Sequence, residues 1–244
     1  MAVRVSAHKT PGIARRLALQ GMVAEKHQLG PVADAMTREH APARRGNAAI
    51  YLAAAWSGFF VMGIELLGGR LLAPYFGTSI FVWGALIAVF MTCLAIGYLL
   101  GGQLSLRSPS RQRLGLLLVG EALLAVPILL GGDVMLEWLS YAVPDPRYGS
   151  LLGAALLFGA PTLFSGMISP YAVRLLIDDL NRSGRSAGRL YFASTLGSAA
   201  GTILTSFYLV LWFELDTIIV SLIAMSFVAG LALLAAGRRG ERTR

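Results

Sequence analysis

The sequence predicts an all-α integral membrane protein with six transmembrane helices. Hydrophobic residues make up 56% of the 244 residues and charged residues only 14%, whereas about 25% of the residues in a soluble protein are charged. The apolar residues are gathered into six long stretches, most of them close to the roughly 20 residues that cross a bilayer core. The solvent of most of this chain is therefore lipid.

The predicted spans follow one another with short connections. They cover residues 48–67, 80–104, 114–130, 150–169, 190–213 and 217–236. The glycine pair before Asp133 is interpreted as a helix stop, and residues 133–143 as a separate short helix at the membrane interface. The domain organisation is then a basic tail (1–47), a six-helix domain (48–236) and a short basic tail (237–244).

Basic residues are distributed unevenly among the predicted loops. The two tails and the second-to-third and fourth-to-fifth loops carry nearly all of them, and the alternate loops hold only Arg70 and Arg147. The positive-inside rule therefore places both termini in the cytoplasm. The net charge of +8 is then an orientation signal, and basic residues scattered over four segments exclude a nucleic-acid partner.

The spans lack the side chains that hold metals or haem. All three histidines (His8, His27 and His40) lie in the N-terminal tail, and the one cysteine, Cys93, lies in mid-span. Zinc and haem sites need several such ligands, and no strand–turn–helix unit supports a nucleotide-binding motif. We expect no metal and no cofactor.

The fifth span carries two stripes of small side chains. Residues of the first recur every fourth position (Ala193, Gly197, Gly201 and Thr205), and hydroxyl residues lie beside them (Ser194, Ser198, Thr202 and Ser206). One interpretation is a close-packing helix face. The other is a polar stripe along a substrate path.

The fourth span contains Pro161 and Pro170, with Ser165 between them. Proline removes a backbone donor, so this helix is expected to kink or break near mid-membrane. Transporters use such breaks to hold ions and charged substrates, and prolines are also common in ordinary transmembrane helices. The segments "GRLLAPYFG" after the first span and "SPYAVRLL" after the fourth also favour two three-helix halves in an inverted repeat.

Two acids lie within or beside the spans. Glu121 is seven residues past Leu114, roughly 10 Å along the helix, where a charge costs about 2.5–3.5 kcal/mol. It is either a proton or cation site or a protonated structural hydrogen bonder. Glu65 and Arg70 are five residues apart, and a break at Gly68 and Gly69 would let them meet or let Arg70 reach an acid on another helix. The pair is either an interfacial ion pair that fixes the loop ahead of Pro74 or part of a binding site.

Three blocks carry a family resemblance: "ELLGGRLLAPYFG" with the following span to residue 102, "GMISPYAVRLL" (166–176) and "GRLYFASTLGSAAGTILTSF" (188–207). In order and spacing they resemble the membrane domain of the spermidine-synthase-like fused membrane proteins. The matching positions are Glu65, Arg70, Pro74, Tyr75, Gly77, Pro170, Arg174, Arg189, Tyr191 and Thr195.

The resemblance implies a membrane unit whose relatives continue into a soluble aminopropyltransferase domain. That domain, which binds decarboxylated S-adenosylmethionine and uses an aspartate base, has no counterpart in these 244 residues, so we expect no enzymatic activity without a partner chain. The expected location is a bacterial-type cytoplasmic membrane, and the expected partners are a separate synthase-like protein and a second copy or larger complex.

Two functions follow as hypotheses. The first is binding or translocation of a polyamine or related cation. Its candidate residues are Glu65, Glu121, Arg70, Tyr75, Ser165, Arg174, Tyr191, Ser194, Thr195, Ser198 and Thr202, while Gly68, Gly69, Pro74, Pro161, Pro170, Gly197 and Gly201 break or pack helices. The second is a non-transporting anchor or structural subunit of a larger complex.

Overall fold

The computed structural model describes residues 42–107, 109–177 and 183–242, and six long helices account for nearly all of them. We number them α1 (Pro42–Phe76), α2 (Ile80–Ser105), α3 (Arg111–Ala142), α4 (Pro146–Leu176), α5 (Ser183–Leu204) and α6 (Leu215–Arg242). A π-helical turn, Thr205–Leu209, and a last short segment, Val210–Trp212, extend α5.

Each helix, with the extension of α5, is long enough and apolar enough to cross a membrane. The all-α fold with six spans is thus confirmed for the described residues. Because the number of crossings is even, the start of α1 and the end of α6 lie on the same side, which is called the side of the chain ends. On the opposite side, connections of two or three residues join α1 to α2, α3 to α4 and α5 to α6. The predicted N-terminal tail lies outside the described residues up to position 41.

The predicted helix stop at residues 131–133 is wrong, because α3 continues through it to Ala142. No separate interfacial helix exists over residues 133–143. Leu136 and Leu139, which follow the two glycines, are buried in the core. Their packing outweighs the low helix propensity of glycine, about 1 kcal/mol per residue.

The break predicted at Gly68–Gly69 is also wrong, and of the two alternatives at the prolines of α4, a kink or a break, the break does not occur. α1 runs unbroken to Phe76 with Pro74 in its last turn, and α4 continues as an α-helix through Pro161 and Pro170. The glycines serve close packing instead: a Cβ at Gly68 would lie 3.1 Å from side-chain atoms of Leu86 and Phe158. Neighbouring helices therefore hold these segments helical despite their composition.

Glycines bring three pairs of helices into backbone contact. Gly197 and Gly201 of α5 face the carbonyl oxygens of Ala55 and Phe59 on α1. Gly97 and Gly101 of α2 similarly face the α4 backbone near Leu163 and Met167, and Gly115 of α3 faces Gly230 of α6. Gly197 and Gly201 therefore lie on a close-packed face of α5.

The pairing of helices agrees with two inverted halves. In such a repeat, α1 corresponds to α4, α2 to α5 and α3 to α6. The contact between α1 and α5 then corresponds to the contact between α4 and α2, and the contact between α3 and α6 corresponds to itself. In the α1–α5 and α2–α4 pairs, the residue numbers at successive contacts rise on both helices, so the two helices run parallel. In the α3–α6 pair they rise on one helix and fall on the other, so these helices run antiparallel. An inverted repeat produces this pattern.

The buried core is divided along the membrane normal into two apolar clusters. One includes Ala54, Leu118 and Ile168 and lies toward the chain ends. The other includes Phe60 and Ala125 and lies toward the short connections. Between them, α1, α3, α4 and α6 each present buried polar residues, and this level is called the polar layer: Ser57, Glu121, Ser165 and Ser226.

Candidate functional site

Glu121 is the acidic residue of the polar layer and is fully buried. It lies ten residues into α3, about 15 Å along the helix. Ser165 Oγ of α4 donates to Glu121 Oε2 at 2.5 Å, and Ser226 Oγ of α6 donates to Glu121 Oε1 at 2.8 Å. Each carboxyl oxygen therefore has one hydroxyl donor, and both donors belong to the second half of the chain.

Residues of α1 extend this hydrogen-bond network. Trp56 Nε1 donates to Ser226 Oγ at 2.7 Å, and Ser57 Oγ donates to the backbone oxygen of Ser165 at 3.3 Å. The Ser226 hydroxyl group thus accepts a hydrogen bond from the indole N–H and donates one to Glu121. The carboxyl group of Glu121 thus joins α3 to α4 and α6, and α1 is joined to the same two helices through Ser165 and Ser226.

Glu121 forms no ion pair with a basic residue in the described part of the chain, and its carboxyl oxygens accept hydrogen bonds from the Ser165 and Ser226 hydroxyl groups. Hydroxyl dipoles stabilise a carboxylate but do not neutralise it. A carboxyl group in this position has two chemical options: it holds a proton, or it binds a cation that displaces the hydroxyl groups.

Glu65 is the second buried acid, 7% exposed, and lies nine residues beyond Trp56 on α1. That spacing is about 13 Å toward the short connections. Its Oε2 atom is buried and accepts no hydrogen bond from the described residues. The expected pairing with Arg70 does not form, because α1 stays helical between them and the guanidinium group is exposed.

The remaining predicted site residues do not gather around either acid. Tyr75 donates to Asp133 Oδ1 at 3.4 Å, near the end of α1. Arg174 is exposed in the last turn of α4, and Tyr191 and Thr195 are exposed on α5. These positions lie on the protein surface or at helix ends.

The hydroxyl stripe of α5 does not line a path to Glu121. Ser194 and Ser198 lie against Gly58 of α1, where a Cβ at Gly58 would clash with the Ser194 carbonyl oxygen. Thr202 Oγ1 donates to the Ser198 carbonyl oxygen of its own helix at 2.9 Å. The stripe therefore belongs to the α1–α5 contact.

Sequence reasoning missed three members of the network: Trp56, Ser57 and Ser226. Each can form a hydrogen bond from within an apolar span. Nothing in the sequence distinguishes Ser226 from Thr217 and Ser221, the other hydroxyl residues of the sixth span. Comparison of the chain with protein families, with curated proteins and with solved structures finds no match.

Proposed function

We propose that this chain is a membrane-embedded unit that binds and translocates an organic cation, of which a polyamine is the best candidate. The observation that carries the proposal is Glu121: an acid from the first half of the chain, held at mid-membrane by two hydroxyl groups from the second. Substrate sites of inverted-repeat transporters lie at this kind of position, where the halves meet near the midplane. An unneutralised intramembrane acid is by default a functional site.

Glu65 supports the proposal from the side of the short connections. Its buried Oε2 atom lacks a donor, and an ammonium group supplies both the donor and the opposite charge. A cation entering from that side would meet Glu65 first and Glu121 about 13 Å further along. At Glu121, it would replace the Ser165 and Ser226 hydroxyl groups as the partner of the carboxylate.

The substrate class, the partner and the location rest on the family resemblance. Relatives of that kind join the membrane unit to a polyamine-forming domain, and we propose that a separately encoded synthase-like protein takes that place here, in a bacterial-type cytoplasmic membrane. The chain itself contributes binding and passage, and no reaction step is assigned to it. A second copy or a larger complex is compatible with its exposed apolar surfaces.

The test is uptake of labelled spermidine into liposomes that contain the purified protein. We expect saturable uptake by the unaltered chain, loss of uptake in Glu121→Gln and a raised KM in Glu65→Gln. Glu137→Gln is the matched control, because Glu137 lies on the same helix as Glu121 but is exposed. Uptake by Glu121→Gln at the unaltered rate would overturn the mechanism.

A non-transporting membrane subunit is the second candidate, and the completeness of the polar layer favours it. Glu121 has no solvent exposure and both of its oxygens have donors, as expected of a group that only fastens helices together. This candidate predicts a folded protein that carries no cation but copurifies from native membranes with a stoichiometric partner. Mass spectrometry of the material purified in mild detergent identifies that partner.

A further inference from the structure

We propose that a groove between α1, α5 and α6 binds one acyl chain of a membrane phospholipid whose head group carries an ammonium ion. The groove is not part of the polar layer, and its assignment does not depend on cation transport. Its volume is about 320 Å³. The lining residues are Trp56, Phe59, Leu209, Phe213, Thr217, Ile218, Ser221, Leu222 and Met225.

The shape of the groove fits a chain that lies along the membrane normal. On α6 the lining residues recur along one face from Thr217 to Met225, a length of about 12 Å. The outer end lies beside Phe213, next to the α5–α6 connection, and the inner end lies beside Trp56 at the level of the polar layer. A linear hydrocarbon therefore fits this groove better than a compact ligand.

The chemistry of the walls favours hydrocarbon. Seven of the nine lining residues are apolar or aromatic, and the rings of Trp56 and Phe59 stack with their centroids 5.3 Å apart. The Ser221 hydroxyl donates to the Thr217 carbonyl oxygen of its own helix at 2.7 Å. Water finds few partners in such a space, whereas lipid chains surround these helices at the same depth.

The charge at the outer end indicates the head group. Glu214 lies between the lining residues Phe213 and Thr217 in sequence, and so does Asp216. Both acids are exposed, and no basic residue lies in this connection. A lipid chain in the groove places its head group beside two carboxylates. These favour a head group that carries an ammonium ion over a head group that is purely anionic.

The inner end of the groove connects the lipid to the buried acid. The Trp56 indole forms the groove wall, and its N–H also donates to Ser226, which holds Glu121. A chain packed against this ring restricts its motion and so keeps that hydrogen bond in place. Lipid binding and the polar layer therefore share one side chain.

Quenching of Trp56 fluorescence by brominated acyl chains tests the proposal. Trp83→Phe, Trp138→Phe and Trp212→Phe leave Trp56 as the sole tryptophan of the full chain, which is placed in nanodiscs of brominated phospholipid. Ser221→Phe fills the groove with a ring, and we expect it to remove about half of the quenching or more. Val220→Phe, at the same depth but outside the groove, is the matched control and should leave quenching unchanged.

The head-group arm compares nanodiscs with equally brominated ethanolamine and glycerol phospholipids. An exposed ion pair gives a modest preference for the ethanolamine lipid. We therefore expect the same degree of quenching to require about two- to fivefold less of the ethanolamine lipid than of the glycerol lipid. Equal requirements would overturn the ammonium assignment. Equal quenching in Ser221→Phe and Val220→Phe would overturn the groove itself, and Ser221→Leu replaces the phenylalanine variant if that one does not fold.

Discussion

Ser165 Oγ lies 2.5 Å from Glu121 Oε2, and the two residues belong to neighbouring antiparallel helices on either side of the boundary between the two halves. This contact belongs to the polar layer, where side-chain hydrogen bonds link α1, α3, α4 and α6. The apolar clusters on either side of the polar layer contribute van der Waals and hydrophobic contacts, which are not directional. The polar layer therefore defines how α1, α3, α4 and α6 are aligned relative to one another.

Removing the Glu121 carboxyl group should strongly destabilise the bundle. Glu121→Ala leaves a cavity and two hydroxyl groups without acceptors, and we expect a loss of about 2–4 kcal/mol in unfolding free energy. Glu121→Gln keeps the side-chain volume. It also keeps both hydrogen bonds if one serine hydroxyl group rotates to accept from the amide NH₂ group, so the loss of unfolding free energy should be about 1 kcal/mol. Unfolding in detergent measures both, and equal losses would contradict this account of the layer.

Ser226→Ala should cost about 1–3 kcal/mol, because it leaves the Trp56 indole N–H without its acceptor and removes a donor to Glu121. Ser221→Ala, five residues away on α6, removes only a hydrogen bond within its own helix and should change stability by less than about 0.5 kcal/mol. The same unfolding assay compares the two. A double-mutant cycle of Ser165→Ala and Ser226→Ala should show coupling through the shared carboxyl group.

The α1–α5 contact should tolerate no added methyl group at Gly197. A Cβ there clashes with the backbone carbonyl oxygen of Ala55, and a backbone atom cannot rotate aside. We expect Gly197→Ala to lower the unfolding free energy by about 1–3 kcal/mol. Gly188→Ala on the same helix meets open space and should be neutral or stabilising, so a similar loss at both positions would refute the close contact.

The orientation of the protein can be tested with single cysteines in a Cys93→Ala chain. Arg107→Cys lies on the side of the chain ends, and Pro144→Cys lies in the α3–α4 connection; both positions are exposed. We expect a membrane-impermeant maleimide to label Pro144→Cys in intact cells, and Arg107→Cys only after permeabilisation. The reverse labelling would invert the topology, and the Cys93→Ala chain reports background.

The number and type of helices could be predicted from the sequence because both depend on length and composition. The close-packing face around Gly197 and Gly201 was also predictable, since small residues at a spacing of four have one common use in lipid. The breaks were not predictable in the same way. Gly68, Gly69, Pro161 and Pro170 lower helix propensity locally, and contacts with other helices decide the outcome.

The candidate site was predictable in part. Glu121 stands out by its charge and Ser165 by its setting, but the sequence does not show which face of α1 or α6 they meet. Trp56, Ser57 and Ser226 join the network because three helices are arranged around α3 in a particular rotation. The residues that the family resemblance added, such as Arg174 and Tyr191, lie on the surface, away from both buried acids.

The π-helical turn divides α5 and its extension into two segments. The side chains of the second segment are rotated about the helix axis relative to those of the first. A spacing of four residues advances about 40° per step around an α-helix, so a stripe that begins at Ala193 would drift away from its neighbours. The wider turn over Thr205–Leu209 absorbs part of that drift and directs Leu209 and Phe213 toward α6. Loss or gain of one residue inside this turn would therefore rotate the segment that follows it, Val210–Trp212, by about 100° relative to the first part of α5.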